Sequence, residues 1–228
     1  MTLNTAQPLP SAPPIELESG PDPRSTIIVI HGLGADGNDF VPIAKELDLS
    51  PVGAVRFVFP NAPVMPVTIN GGYPMPAWYD IAGPGRPEDE AGLRRSQAAI
   101  ESLIAREKAR GVPAERIVVA GFSQGCAMAL LTGVRHAERL AGIVGLSGYL
   151  PLAGATAAER HPANRQTPIF LAHGSRDGVV IPARAAASRD ALTAMGYAVE
   201  WHEYPMEHSV CLEEIGDIEA FLLRVLAS

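Results

Sequence analysis

Gly121-Phe122-Ser123-Gln124-Gly125 is the stretch of this 228-residue chain with the clearest capacity for chemistry. A serine with glycines two positions before and two positions after it fits a turn too tight for Cβ atoms, with the hydroxyl at the apex. The preceding run, Ile117-Val118-Val119-Ala120, reads as a strand covered on both faces. The following run, from Gln124, is rich in Ala, Leu and Met and reads as a helix. Such a strand–turn–helix makes Ser123 a nucleophile toward an acyl carbon. It also places the Gln124 N–H at a helix N-terminus, where a developing oxyanion is stabilised. Glycine-rich strand-to-helix turns also occur in α/β proteins without catalysis, so the chain must supply three more parts: a base, an acid to orient it and a second oxyanion donor.

A serine hydroxyl is a poor nucleophile until a base takes its proton, and the base needs an acid to hold its tautomer. In open α/β sheets such groups gather beyond the carboxyl ends of strands. Of the six histidines, only His208, in Glu207-His208-Ser209 after the last expected strand, has both the chain order and the loop position of a base. His31 and His173 sit beside glycines at strand ends and read as loop-shaping residues. His136 and His161 lie in polar surroundings, and His202 falls inside a strand. Asp177 follows the strand that ends at His173, giving the order Ser, Asp, His. Its competing reading is a cap on the helix that follows.

The second donor is expected in His31-Gly32-Leu33-Gly34, where two glycines let the backbone approach a substrate and Leu33 offers its N–H. A phosphate-binding loop is the rival reading, but glycines at 32, 34 and 37 break the G-x-G-x-x-G spacing and no P-loop lysine follows. The expected machinery is therefore Ser123 as nucleophile, His208 as base, Asp177 as orienting acid and the N–H groups of Leu33 and Gln124 as oxyanion donors. A histidine base predicts a rate that rises with pH as the imidazole loses its proton. No H-E-x-x-H or clustered Cys/His pattern is present, so neither a metal nor a cofactor is expected.

The elements that must position these groups alternate along the chain. Five successive β-branched residues, Thr26 to Ile30, predict a central strand. Further strands are expected at 15–18, 55–59, 140–146, 168–173 and 198–204, with helices at 40–49, 90–111, from Gln124 to about His136, 183–195 and 212–226. Residues 153–166 read as a polar loop. The alternation predicts one α/β domain over residues 14–228, with a mainly parallel sheet and helices on both faces, after a disordered tail over 1–13. Residues 61–90 form a long Pro- and Gly-bearing stretch that is too apolar for a solvated linker, and it reads as lid-like. Met65, Val67, Ile69 and Trp78 within it are the expected substrate-binding wall.

A net charge of −7 without a basic block argues against nucleic acid and anionic membrane surfaces as partners. With 47% hydrophobic residues and no run near the roughly 20 apolar residues of a membrane span, no stable membrane insertion is expected. The two distant cysteines read as free thiols, and the N-terminus lacks a secretory pattern, so the expected location is the cytoplasm.

The chain closely resembles the carboxylesterase/acyl-protein thioesterase (phospholipase/carboxylesterase) family of α/β-hydrolases from about residue 25 to the C-terminus. The resemblance rests on His31-Gly32-Leu33-Gly34, Pro66-Val67-Thr68-Ile69-Asn70, Trp78-Tyr79-Asp80-Ile81, the Ser123 elbow, His173-Gly174 with Asp177, and His208-Ser209. It implies an α/β-hydrolase fold and a serine hydrolase acting on carboxylic esters, with thioesters of acylated proteins or lysophospholipids as further substrates. It places the triad on Ser123, Asp177 and His208, sets the Met65–Gly72 region over the acyl channel, and suggests a monomer or weak homodimer. The chain departs from the family at Cys126, where Gly is common, and at Met206-Glu207 before His208. Prolines 66, 74 and 76 stiffen the loop and predict a preference for short to medium acyl chains. The rival from another class is a non-catalytic binding module on a hydrolase scaffold.

Overall fold

The computed structural model describes residues 12–227, so most of the expected N-terminal tail lies outside the described residues. A seven-stranded sheet forms the centre. In chain order its strands are β1 (Ile15–Glu18), β2 (Ser25–Ile30), β3 (Val55–Phe59), β6 (Ile117–Phe122), β7 (Gly142–Leu146), β8 (Ile169–Gly174) and β9 (Val199–Tyr204). The spatial order is β1-β3-β2-β6-β7-β8-β9, with β1 antiparallel to β3 and every other pair parallel. The Val/Ile-rich character of β2 and β6 follows from this position, because a parallel strand in mid-sheet is covered on both faces.

Among the described residues six helices complete the layers: α1 (Val41–Glu46), α2 (Glu90–Ala109), α3 (Gln124–Gly133), α4 (Ala153–Glu159), α5 (Pro182–Ala194) and α6 (Leu212–Leu226). Leu93, Ile100 and Ile104 of α2, the apolar side chains of α3 and Leu192 of α5 pack with Ile28, Val119, Ile143 and Leu171 on one face. Ala44 of α1 and Ile218, Phe221 and Leu222 of α6 pack with Phe57, Val118, Val144 and Phe170 on the other. Successive strand residues thus feed opposite cores, as the two-residue period requires.

Two expectations need correction. Residues 153–166 are not a polar loop throughout: α4 covers Ala153–Glu159, and a 3-10 turn follows at Pro162–Asn164. Four alanines within seven residues favour helix, and Glu159 anchors α4 by ion pairs to Arg94 at 2.6 Å and Arg135 at 2.8 Å. The helix expected at 40–49 is only Val41–Glu46, because Leu47 turns extended. The 61–90 stretch also holds a two-stranded antiparallel hairpin, β4 (Val64–Val67) with β5 (Tyr73–Pro76).

The chain runs from β2 to β3 on one side and returns to β6 on the other. The carboxyl ends of β2 and β6 therefore lie side by side, in register at Ile30 and Gly121. This is the point where strand order reverses and crevices form in open α/β sheets.

Candidate active site

Ser123 lies between β6 and α3 with φ 56° and ψ −115°, a left-handed backbone that a serine adopts at a cost of about 1–3 kcal/mol. Its N–H donates to Leu146 O at 2.9 Å and its carbonyl accepts the Ala127 N–H at 3.2 Å, which locks the turn between β7 and α3. The flanking glycines are sterically required. A Cβ on Gly121 would stand 2.1 Å from Gly125 O, and one on Gly125 would stand 1.9 Å from Ile30 O. The second figure also shows how closely the elbow rests on the end of β2.

His208, in the loop after β9, brings Nε2 to 3.0 Å from Ser123 Oγ. Its Nδ1 lies 2.7 Å from Asp177 Oδ2. Asp177 is 3% exposed and its other oxygen accepts the Val179 and Val180 N–H groups at 2.8 and 2.9 Å. The carboxylate oxygens are thereby divided, one for backbone and one for imidazole. Asp177 does not cap α5, whose N-cap is Ile181 without a side-chain bond. Three residues 85 and 31 positions apart in sequence are joined in one hydrogen-bonded line.

The other histidines are engaged elsewhere. His136 meets Glu101 at 2.7 Å, His161 accepts the Ala163 N–H at 3.2 Å, and His202 lies between Glu200 at 3.1 Å and Asp217 at 3.2 Å. His173, expected only to shape a loop, sets Nε2 2.8 Å from Val180 O and 3.3 Å from Asp177 Oδ2, so it also braces the acid.

On the side of the expected oxyanion donors, a Cβ on Gly32 would lie 3.3 Å from the Ser123 Cβ, which sets the His31–Gly34 loop directly beside Ser123. Among the described residues the N–H groups of Leu33 and Gln124 have no acceptor. The flanking Gly34 N–H is used by Pro76 O at 2.9 Å. Unpaired donors from a loop and from a helix N-terminus are what an oxyanion requires.

Several functional contacts were not foreseen. The Gln124 side chain is buried and clamps the 61–90 segment twice, accepting the Trp78 N–H at 3.0 Å and donating to Tyr79 O at 2.9 Å. The Trp78 indole N–H donates to His31 O at 2.9 Å. The Phe122 ring sits 4.7 Å from the His208 ring, centroid to centroid, and limits its tilt. A polar amide at the head of an otherwise apolar helix was the available signal for Gln124, whereas its partners are long-range and leave none.

The four residues expected to form a substrate wall do not converge. Val67 and Trp78 are buried, while Ile69 is 49% exposed near the hairpin tip. Met65 and Trp78 line a cavity of about 250 Å³ against Ser96, Ile100 and Leu103 of α2, and no member of the Ser123–His208–Asp177 line borders it. Trp78 thus bolts the His31–Gly34 loop to the elbow. The hairpin is tied down by Gly34 N–H to Pro76 O at 2.9 Å, Thr68 N–H to Asp80 at 2.7 Å and Ile69 N–H to Ile81 O at 2.8 Å. Cys126, next to Gly125, is buried, and burial pushes its thiol up to about 12, which leaves it protonated and unreactive.

The phospholipase/carboxylesterase family model matches residues 15–226. The acyl-protein thioesterase 1 of Neurospora crassa is 43% identical over 225 residues, covering 94% of this chain and 92% of that protein. The acyl-protein thioesterase 1 of Yarrowia lipolytica is 40% identical over 217 residues, covering 92% and 96%. Among solved structures, SOBER1 of Arabidopsis thaliana superposes with a TM-score of 0.84 at 30% identity, covering 89% of this chain and 99% of that one. No helix among the described residues is long and apolar enough to cross a membrane. With the elbow, the sheet and nearly the whole length matched, the chain belongs to the phospholipase/carboxylesterase family of α/β-hydrolases and is a serine hydrolase of the carboxylic-ester class.

Proposed function

We propose that the protein hydrolyses carboxylic esters and thioesters of short to medium acyl chains through an acyl-enzyme on Ser123. The observation that carries the reading is the unbroken line from Ser123 Oγ to His208 at 3.0 Å and from His208 to Asp177 at 2.7 Å. As Ser123 Oγ bonds to the acyl carbon, its proton passes to His208 Nε2, and Asp177 stabilises the imidazolium. The carbonyl electrons move to oxygen, where the Leu33 and Gln124 N–H groups receive them. Collapse of the tetrahedral intermediate breaks the bond to the leaving alkoxide or thiolate, which takes the proton from His208. Water then enters by the same route, releasing the carboxylic acid and restoring Ser123.

The names of the thioesterase relatives point to acylated proteins as substrates through a thioester; lysophospholipids carry the oxygen ester that the same mechanism cleaves. The tied-down hairpin favours short to medium chains, because two backbone bonds and one to the Asp80 carboxylate hold it against opening a longer groove. No metal or cofactor enters this scheme. A p-nitrophenyl ester series from about two to sixteen carbons, run beside an acyl thioester, tests the reading. Turnover should peak below about eight carbons, and Ser123→Ala should abolish it. Faster turnover of the longest ester, or activity retained without the hydroxyl, would overturn it. A non-catalytic binding module would leave a fluorophosphonate probe unattached. We further propose a cytoplasmic monomer or weak homodimer, consistent with two unpaired cysteines. Cell fractionation and sedimentation velocity test these points.

A further inference from the structure

We infer that His31 is a positioning residue: its ring, in the Nδ1–H tautomer, pins the Gly32 carbonyl and so aims the Leu33 N–H at the oxyanion. This rests on the proposed reading of Ser123 as nucleophile and Leu33 as donor.

The tautomer follows from the partners. His31 Nε2 lies 3.0 Å from the Ala62 backbone nitrogen, and that amide can only donate. Nε2 therefore carries the lone pair, and the proton of the neutral ring sits on Nδ1. Nδ1 lies 2.7 Å from Gly32 O and donates to it. The Gly32–Leu33 peptide is planar and trans, so the direction of its C=O fixes the opposite direction of its N–H. Gly32 has no Cβ to bias its torsions, and its carbonyl otherwise receives only the Ala35 N–H at a long 3.4 Å. Without the imidazole, little keeps this peptide from rotating its N–H away.

The peptides on either side are already fixed. The His31 carbonyl accepts the Trp78 indole N–H at 2.9 Å, and the Gly34 N–H donates to Pro76 O at 2.9 Å. The free Leu33 N–H is the one between them. The ring is 1% exposed, and burial lowers its pKa against the opposing pull of the Gly32 carbonyl and the Asp36 and Asp39 carboxylates. A neutral ring is what the bonds demand, since a proton on Nε2 would face the Ala62 N–H.

Three substitutions separate the pin from ordinary packing. His31→Asn keeps a donor near the Nδ1 position, His31→Gln instead reaches toward Ala62, and His31→Leu does neither. Loss of an oxyanion donor costs about 10²–10³ in kcat. We expect His31→Leu and His31→Gln to lose about that much with KM within about threefold, and His31→Asn to stay within about tenfold of the parent. Affinity for a trifluoromethyl ketone, whose adduct carries the oxyanion, should fall in parallel with kcat/KM while melting temperature follows neither. Equal losses in the Asn and Gln variants, or adduct affinity that tracks melting temperature instead, would overturn the inference. The unmodified protein gives an independent reading: its ¹⁵N spectrum should show His31 protonated on Nδ1, and protonation on Nε2 would refute the pin. Hydrolysis that survives in Ser123→Ala would remove the underlying reading. A Ser123-dependent enzyme indifferent to His31→Leu would remove the pin alone.

Discussion

Asp177→Asn is the substitution with the most sharply derived outcome. The wild-type carboxylate gives one oxygen to the Val179 and Val180 N–H groups, at 2.8 and 2.9 Å, and the other to His208 Nδ1 at 2.7 Å. An asparagine must divide the same places between one acceptor and one donor. If the amide oxygen faces Val179 and Val180, both backbone bonds survive and the NH₂ group faces His208. The imidazole then accepts at Nδ1, its proton moves to Nε2, and it meets Ser123 as a donor that cannot take a proton. The reversed amide would set NH₂ against two backbone donors in a site only 3% exposed, at roughly 1–3 kcal/mol for each unpaired group. The first arrangement wins, and it holds the wrong tautomer. A loss of about 10⁴ in kcat follows, equivalent to about 5.5 kcal/mol of transition-state stabilisation. Initial rates on p-nitrophenyl butyrate measure it, with the melting temperature checked for an intact fold. A loss below about tenfold in a folded variant would refute the assignment of Asp177.

Further outcomes follow from groups around the site. Iodoacetamide at about pH 8 should alkylate Cys211, which is partly exposed, and spare Cys126, whose thiol burial has pushed up to about 12; mass spectrometry should find one label, with esterase activity unchanged. Glu214 is fully buried at the start of α6, and burial raises its carboxyl to about 8, the nearby Cys211 N–H offsetting only part of this. The folded protein thus holds a proton that the unfolded chain releases, so the contribution of Glu214 to stability is largest in acid and falls as pH rises from the ordinary carboxyl range through about 8. Glu214→Gln should remove up to roughly 4 kcal/mol of that slope, so thermal melts of the two proteins should diverge between about pH 5 and pH 9. Gln124→Ala strips the clamps on Trp78 N–H and Tyr79 O and should destabilise the protein by about 2–4 kcal/mol in denaturant melts.

The residues that meet at Ser123 were legible in the sequence because each carries a local mark. Gly121 and Gly125 announce a turn that only glycines permit, and Asp177 and His208 each follow a strand whose β-branched or aromatic residues mark it. What escaped was set by contacts distant along the chain, or by rules that compete. The alanines of α4 were outweighed by the polar residues around them. Residues 61–90 read as one lid-like stretch, yet they hold a two-stranded hairpin, which accepts Pro66, Pro74 and Pro76 wherever an N–H need not pair. Trp78 is expected in the substrate wall because the whole 61–90 stretch is too apolar for a solvated linker. Its indole N–H, backbone N–H and carbonyl are bonded to His31, Gln124 and Ser96, three partners that no local pattern reveals.

Covalent trapping tests the central claim most directly. The protein is incubated with a fluorophosphonate, digested, and the adduct located by tandem mass spectrometry. A single adduct on Ser123, formed at least about 10²-fold more slowly in His208→Ala, is the predicted result. An adduct on any other residue, or ester hydrolysis that continues while Ser123 stays unlabelled, would contradict it.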